Sequence, residues 1–549
     1  MIGLTKHYRN KKYFELPFSS SAPITYTPII GTSVGTGTSR FEFINNSVID
    51  NNTPSISLSG SGINRVWVRE LSNIGQVDID NCALSGSVDF EGVSNISTAL
   101  RTHINPNLTN LTNLTSSQLI NTGLIMYQCG FDNVLDLRGL TGAGGIWQFY
   151  SCPSLKEFYA PITTESISSL SLYSCNSLEK ADLSGVINLG GNILLNSNPN
   201  LTQIINPTSS QPIDFYYTNN TALSTLDLSQ LSGLGGQFRT QGCSNLTQII
   251  NPTSSQAFTR YWAYNCNLSG TLNLSSLSGL GGDVGLDGNP NLTQIIFPTS
   301  SQVFTLFDVG DTNIVNLDLS QLSNLGGVIR FDNNPSLQTV VFPTSSQVIT
   351  TFQCGDLDNF SSSIDLSQMT GLGGFIGFSE SNINGIPNLQ NLILPTTTQS
   401  INYFAAAFCN LSGTLDLSSH FSEYSGGTNR RLYINSNSNL NTLVFPTSSL
   451  ARFSDIYIHS CDLGYCDFTV LPSASHQNSF RLDLYDNNMT AAEVNHILVD
   501  IDSGSISGYT GRNINLSGTN AAPDNSSGGF DGLAATGSLI SKGFTVTTS

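Results

Sequence analysis

The chain has 549 residues, only 11% of them charged and 9% aromatic, with a formal net charge of −18. That charge excludes nucleic acid as a partner, because phosphate binding needs a basic face that releases counterions, and the aromatic content excludes a disordered chain. No stretch approaches the roughly 18 apolar residues of a membrane span, so membrane insertion is not expected.

Residues 1–55 differ from the rest. Lys6, Arg9, Lys11 and Lys12 form a basic run, followed by Pro17, Pro23, Pro28 and the stretch IIGTSVGTGTS. Proline and glycine punctuation without helical period reads as an extended arm and capping coil. It is either a frayed terminus or an anchor laid over a partner protein. The start, MIGLTKHYRNKKYFELPF, lacks the apolar core of a secretory signal, which argues against ordinary secretion.

From residue 56 to 488 the chain repeats itself. PTSSQ begins at Pro207, Pro252, Pro298 and Pro343, with relatives at Leu114, Pro161, Pro395 and Pro446. The interval of about 45 residues is the mark of a repeat array, in which each unit needs only its neighbours for a core. Inside it runs a shorter rule, L-x-L-x-x-N/C-x-x-L. Its marker falls at Cys82, Asn105, Cys129, Cys152, Cys175, Asn198, Asn220, Cys243, Cys266, Asn289, Asp311, Asn334, Asp358, Ile386, Cys409, Asn437, Cys461 and Asn487. Most steps are about 22 to 24 residues, so the unit is a pair of coils. One coil of each pair carries PTSSQ, expected as a short outer turn or 3₁₀ segment, and the other carries LDLS and a glycine pair suited to positive φ. Longer steps near Ile386 and Asn437 predict loops around residues 380 and 420.

Residues 489–549 break the pattern. Thr490 and Glu493 form a capping box before AAEVNHILVDI, whose apolar residues have helical spacing. The strand RNINLSG, a second helix near LAATGSLIS and the strand FTVTT complete an α/β cap over the end of the sheet.

The 22–24-residue step and the Leu and Asn/Cys pattern resemble leucine-rich repeat proteins. The resemblance implies a leucine-rich-repeat solenoid, a parallel β-sheet of about 18 coils with short outer turns, in which the marker column hydrogen-bonds successive coils. The tail, with LSGTNAAPD and GFTVTT, is similar to the end of leucine-rich-repeat proteins from tailed-phage virions. That likeness implies a virion structural protein, tail- or fibre-associated, that binds a host surface glycan or protein. Other virion proteins would hold its N-terminal arm through Lys6, Arg9, Lys11 and Lys12. A capsid-decorating protein and a bacterial cell-surface adhesin are the alternatives.

Chemistry-bearing residues are few. Cys129, Cys152, Cys175, Cys243 and Cys266 share the column of Asn198, Asn220, Asn289 and Asn334, which makes them scaffold thiols instead of disulfide partners. Cys461 and Cys466 could pair locally, but no second Cys/His pair supports a metal. The column Asp89, Asp136, Asp182, Asp227, Asn273, Asp318, Asp365 and Asp416 recurs once per pair, about 10 Å apart on strand spacing, too far to share an ion. It reads as turn chemistry. The histidines form no triad, no hydrolase or phosphate-loop motif occurs, and neither an enzyme nor a cofactor is expected. The outward strand positions are richer. Tyr127, Tyr150, Tyr173 and Tyr264 stand two before the marker, and Tyr216, Trp262, Tyr433 and Tyr457 four before. Such a stripe either binds sugar rings or a protein, or is a ladder that stabilises the sheet.

Overall fold

The computed structural model describes residues 85–90, 99–115, 119–379, 385–396, 401–421, 430–445, 453–469, 480–504 and 511–549, and in the chain before residue 85 the backbone of the strands. Lys6, Arg9, Lys11, Lys12 and Cys82, and the loop residues 380–384 and 422–429, lie outside the described residues. The chain divides into two units, residues 1–268 with 273–280, and residues 269–272 with 281–549. Both are parallel β-solenoids of the leucine-rich-repeat kind, about 15 coils in total among the described residues.

In the first unit the segment expected as an arm is stitched into sheet. Tyr13–Ser20 pairs antiparallel with Gly62–Arg69 along its whole length, and Arg40–Phe43 pairs with the same strand. Ile29–Thr32 lies antiparallel on Ile74–Asp78, the first strand of the parallel ladder. The edge of that ladder is thereby covered by the chain itself, which blunts its tendency to pair with other chains. The ladder then runs in sequence order through Ala99–Arg101, Gly123–Ile125, Gly145–Gln148, Thr163–Ser171, Val186–Leu194, Ile213–Tyr217, Leu234–Arg239 and Phe258–Trp262. A thinner sheet, Asn133–Asp136, Leu155–Tyr159, Lys180–Asp182 and Gln203–Ile205, closes the other side of the coils. Between them the core is fully buried at Trp147, Phe149, Phe158, Ile193, Leu195 and Phe238.

The second unit repeats the plan from Gly282–Gly285 and Phe304–Asp308 to Phe453–Tyr457 and Phe480–Asp483. Two more parallel strands, Arg512–Leu516 and Phe544–Thr548, extend the same ladder, so the cap prolongs the sheet as well as covering it. Helices α1 (Ala491–Gly504) and α2 (Gly532–Ser541) pack with them. The capping box forms: the Thr490 N–H donates to Glu493 Oε2 at 2.7 Å, and the Glu493 N–H to Thr490 Oγ1 at 3.4 Å. Asp531 caps α2 by accepting from the Ala534 N–H at 2.9 Å.

PTSSQ is not 3₁₀ but a short turn closed by its first serine, which also makes a one-residue parallel bridge, Ser209 to Leu231 and Ser254 to Leu277. The serine hydroxyl replaces helical hydrogen bonds. Ser254 Oγ donates to the Leu234 carbonyl at 2.7 Å and accepts from the Gln256 N–H at 3.2 Å. The glycine pair of the preceding coil completes the joint. Gly236 has φ +54, and a Cβ there would lie 2.2 Å from the Asp214 carbonyl oxygen.

Candidate functional site: the outward strand face

The face is positioned by the marker column beneath it. Asn198 Nδ2 donates to the carbonyls of Leu195 (2.7 Å) and, one coil back, Leu172 (3.0 Å), while its Oδ1 accepts the Cys175 N–H at 2.7 Å. Cysteine does the same work. Cys175 Sγ donates to the Phe149 carbonyl at 3.2 Å and accepts the Cys152 N–H at 3.4 Å. Burial pushes the thiols of Cys129 and Cys466 up to about 12, so they remain neutral donors. All nine described cysteines are buried and free, Cys461 and Cys466 included.

The chain enters most of the described markers through a left-handed residue. Ser174 (φ 58), Ser197 (φ 59), Asn265 (φ 51) and Ser436 (φ 62) precede Cys175, Asn198, Cys266 and Asn437. That geometry corrects the expected column. Asn220 (φ 55) and Asp311 (φ 51) are themselves the left-handed residues and are exposed. Thr221 and Thr312, 5% and 3% exposed, take the inward place. Thr221 Oγ1 bonds to the Thr218 carbonyl at 3.0 Å, and the Thr312 N–H donates to Asn334 Oδ1 at 2.9 Å. Likewise Asp358 is exposed and Leu357, after Asp356 (φ 52), fills the column. Asn and Asp tolerate the left-handed region, so a residue type expected inside marks instead the bend before it.

One consequence is a second correction. Tyr216, expected on the outward face, is buried in the core, its hydroxyl 3.1 Å from Asn206 Oδ1. A one-residue shift reverses every side chain of a strand. The outward residue is Tyr217.

The outward positions of the first unit fall into two parts. His103, Tyr127, Tyr150 and Tyr173 stack as a column with ring centroids 4.6, 4.5 and 4.7 Å apart. The tyrosine planes lie within 5° and 3° of parallel, so the rings cover one another's faces. Further along, three strands in register make a grid: Phe215, Gln237 and Arg260 in one row and Tyr217, Arg239 and Trp262 in the next. Asn219, Gln241 and Tyr264 continue it two residues on. The Arg239 guanidinium lies between the rings of Tyr217 (4.8 Å) and Trp262 (4.7 Å), and Arg260 lies over Trp262 at 4.5 Å. Gln237 Oε1 accepts from both the Tyr217 hydroxyl and Arg239 Nη2 at 2.7 Å. Tyr264 meets Trp262 edge-on at 5.7 Å. Arg239 Nε, Trp262 Nε1, Asn219 Oδ1 and Gln241 Oε1 are shielded from water and have no hydrogen-bond partner among the described residues. Sequence reasoning found Trp262 and Tyr264 but missed Phe215, Tyr217, Gln237, Arg239 and Arg260. Two arginines in a chain of low charge density, each at an outward position, were the available signal.

In the second unit Tyr433 and Tyr457 do face outward, centroids 4.7 Å apart. Their charged neighbours neutralise one another: Arg431 pairs with Asp455 at 3.4 Å, and Arg481 with Asp483 at 2.8 Å while lying 4.9 Å over Tyr457. Nearer residue 300 the face is acidic. Burial first, then the Asp287 carboxylate, pushes Asp308 up to about 6, and burial with Asp308 and Asp311 does the same to Asp332.

The aspartate column makes turns. Asp182, Asp227, Asp318, Asp365 and Asp416 each accept the N–H two residues on at 2.8 to 3.1 Å, as does Asn273 at 3.0 Å. Asp136 accepts the Arg138 N–H at 3.1 Å; the side chain of Asp89 lies outside the described residues. Among the described residues no group of three or more His, Cys, Asp or Glu could hold a metal ion, and no helix is long and apolar enough to cross a membrane.

A family model described as a BspA-type leucine-rich repeat region matches residues 145–238 in six copies. No curated protein matches the chain. Among solved structures the chain is similar to the functional domain of InlJ from Listeria monocytogenes, which includes a cysteine ladder: 14% identity, 67% of this chain and 70% of that one, TM-score 0.22. It is similar also to the plant peptide hormone receptor RGFR1 in complex with RGF2, at 13% identity over 86% of this chain and 95% of that one, TM-score 0.17. A TLR13–ssRNA13 complex matches at 13% identity over 78% and 82%, TM-score 0.15. The family match bears on the repeat and not on the expected likeness to virion proteins.

Proposed function

We propose that this leucine-rich-repeat chain is a non-enzymatic recognition protein displayed on a surface, which binds a host-surface glycan or protein through the outward face of its strands. The observation that carries the reading is the grid around Arg239, where aromatic rings and guanidinium groups from three successive coils stand together on a solvent-facing sheet. Scaffold residues explain the inward side of these strands, and nothing in the packing of the core requires Arg239 or Trp262 outside it. Half-buried aromatic and arginine clusters on an outward face are the composition of binding hot spots.

The tyrosine column has a different character. Rings that stack on one another at 4.5 to 4.7 Å offer a ligand their edges and hydroxyls, not their faces. Tyr127, Tyr150 and Tyr173 therefore serve the sheet as a cross-strand ladder. On this reading the display surface is a virion, with the chain tail- or fibre-associated and its N-terminal segment held by other virion proteins through Lys6, Arg9, Lys11 and Lys12. A bacterial cell surface is the alternative. Mass spectrometry of purified particles against host envelope fractions decides the display surface. Attachment of the labelled full chain to host cells tests recognition: replacing Tyr217, Arg239 and Trp262 together by Ala should abolish it with the fold intact, and undiminished attachment would refute the assignment.

A further inference from the structure

The grid around Arg239 also carries chemical information about what it takes, and the inference rests on the recognition reading above. We infer that the grid is a subsite for an acidic glycan, a hydroxyl-rich ligand bearing a carboxylate or sulfate, with Arg239 as its anion contact and Trp262 and Tyr217 as its walls.

Charge is the first argument. The chain as a whole carries −18, yet the grid positions around Arg239 hold no carboxylate, and the exposed Asp214 of the strand Ile213–Tyr217 stands beside Phe215, outside the grid. The outward patch of the second unit is built differently: Arg431 and Arg481 each have an aspartate within 3.4 Å. Arg239 is held by two rings and the Gln237 amide, contacts that fix its plane without cancelling its charge. A preset planar cation favours an oxyanion that it can meet with paired N–H groups.

Hydrogen-bond valence is the second, and it favours a ligand dense in groups that both donate and accept. The unmatched atoms are two donors, Arg239 Nε and Trp262 Nε1, and two acceptors, Asn219 Oδ1 and Gln241 Oε1, on neighbouring coils. A hydroxyl group donates and accepts at once, so a ligand dense in hydroxyls satisfies both kinds as these side chains reorient around it. An acidic side chain only accepts, so an acidic peptide could match the two amide oxygens only through backbone N–H groups spaced one to a residue, whereas a glycan offers several hydroxyls on every ring.

The test uses the purified full chain and calorimetric titration with a galacturonate oligomer and a sulfated glucan oligomer, each beside its neutral parent, and with oligoglutamate. The expected result is binding of at least one acidic oligomer, with the neutral parent and oligoglutamate both weaker by about tenfold or more. Arg239→Gln should cost a similar factor, Arg239→Lys should recover only part of it because the planar stack is lost, and Arg481→Gln in the other patch should change nothing. Circular dichroism confirms that the variants fold. Equal binding of neutral parent and acid, equal binding of oligoglutamate, or no binding of either acidic oligomer overturns the inference. If the chain still attaches to host cells and Arg239→Gln still lowers that attachment, the recognition reading survives and only the ligand class falls.

Discussion

At the scale of single residues the array depends on groups that hold two coils at once. Asn198 matches two carbonyls and one N–H that no water can reach. Asn198→Ala leaves all three unmatched, and at about 1–3 kcal/mol for each such group a loss of roughly 3 kcal/mol or more is expected, read as a lower midpoint in urea. Asn198→Cys should lose about 1 kcal/mol, since the thiol of Cys175 already donates and accepts at the equivalent place. A cysteine variant no better than alanine would show that the column's cysteines are mere filling. Glycine gives a matching contrast. A Cβ added at Gly413 (φ +70) would meet no atom within 4 Å, so Gly413→Ala should cost only the left-handed penalty of about 1–2 kcal/mol. At Gly236 the added carbon would meet the Asp214 carbonyl oxygen at 2.2 Å, and Gly236→Ala should shift the urea midpoint at least twice as far.

At the scale of strands and their neighbours, register decides what is visible from sequence. The column was legible wherever Asn or Cys fills it, because those residue types are rare enough inside a core to announce their hydrogen bonds. Thr221, Thr312 and Leu357 carry no such announcement, and beside them Asn220, Asp311 and Asp358 look like the marker. One step of error put Tyr216 outside and hid Tyr217, whose contact with Arg239 is the centre of the candidate site. The same face yields a pH prediction on Phe304–Asp308 and its neighbours. Asp308 is raised from the usual carboxylate range to about 6 by burial first and then by Asp287, opposed by the Gly310 N–H and Arg330. Between about pH 4 and 6 the folded chain then holds a proton that the unfolded chain has released, so stability falls as pH rises through that window. Above pH 6 the cost is fully present; below about 4 it is gone. Asp308→Asn should raise the urea midpoint at pH 7, with the difference vanishing at pH 4. A difference that does not depend on pH would mean the carboxylate is not strained by its burial.

At the scale of the whole molecule, period and fold class were legible because every coil repeats the same physical problem, an inward Leu pair followed by a bend that needs a polar partner. The ends were less so: the first 55 residues carry no repeat, and their strands are set by long-range antiparallel pairing that local pattern cannot show. What the array does predict is its own tolerance. If the unit is a pair of coils, removing one whole pair should leave every remaining joint between a PTSSQ coil and a glycine-pair coil intact. Deleting residues 207–251 joins Asn206 to Pro252 and recreates the run N-P-T-S-S-Q. The Leu189 carbonyl, now served by Ser209 Oγ at 2.8 Å, meets Ser254 instead, and Cys266 follows Asn198 in the column. Each coil in a solenoid answers only to its neighbours, so the shortened chain should keep its β-sheet circular dichroism and cooperative unfolding. It should also lose acidic-glycan binding, since Tyr217 and Arg239 leave with the pair. Deleting residues 207–229 joins Asn206 to Gln230 and sets two glycine-pair coils side by side with no PTSSQ segment between them. That shorter deletion should unfold or aggregate although it removes less, and a stable product would refute the pair as the unit of the array.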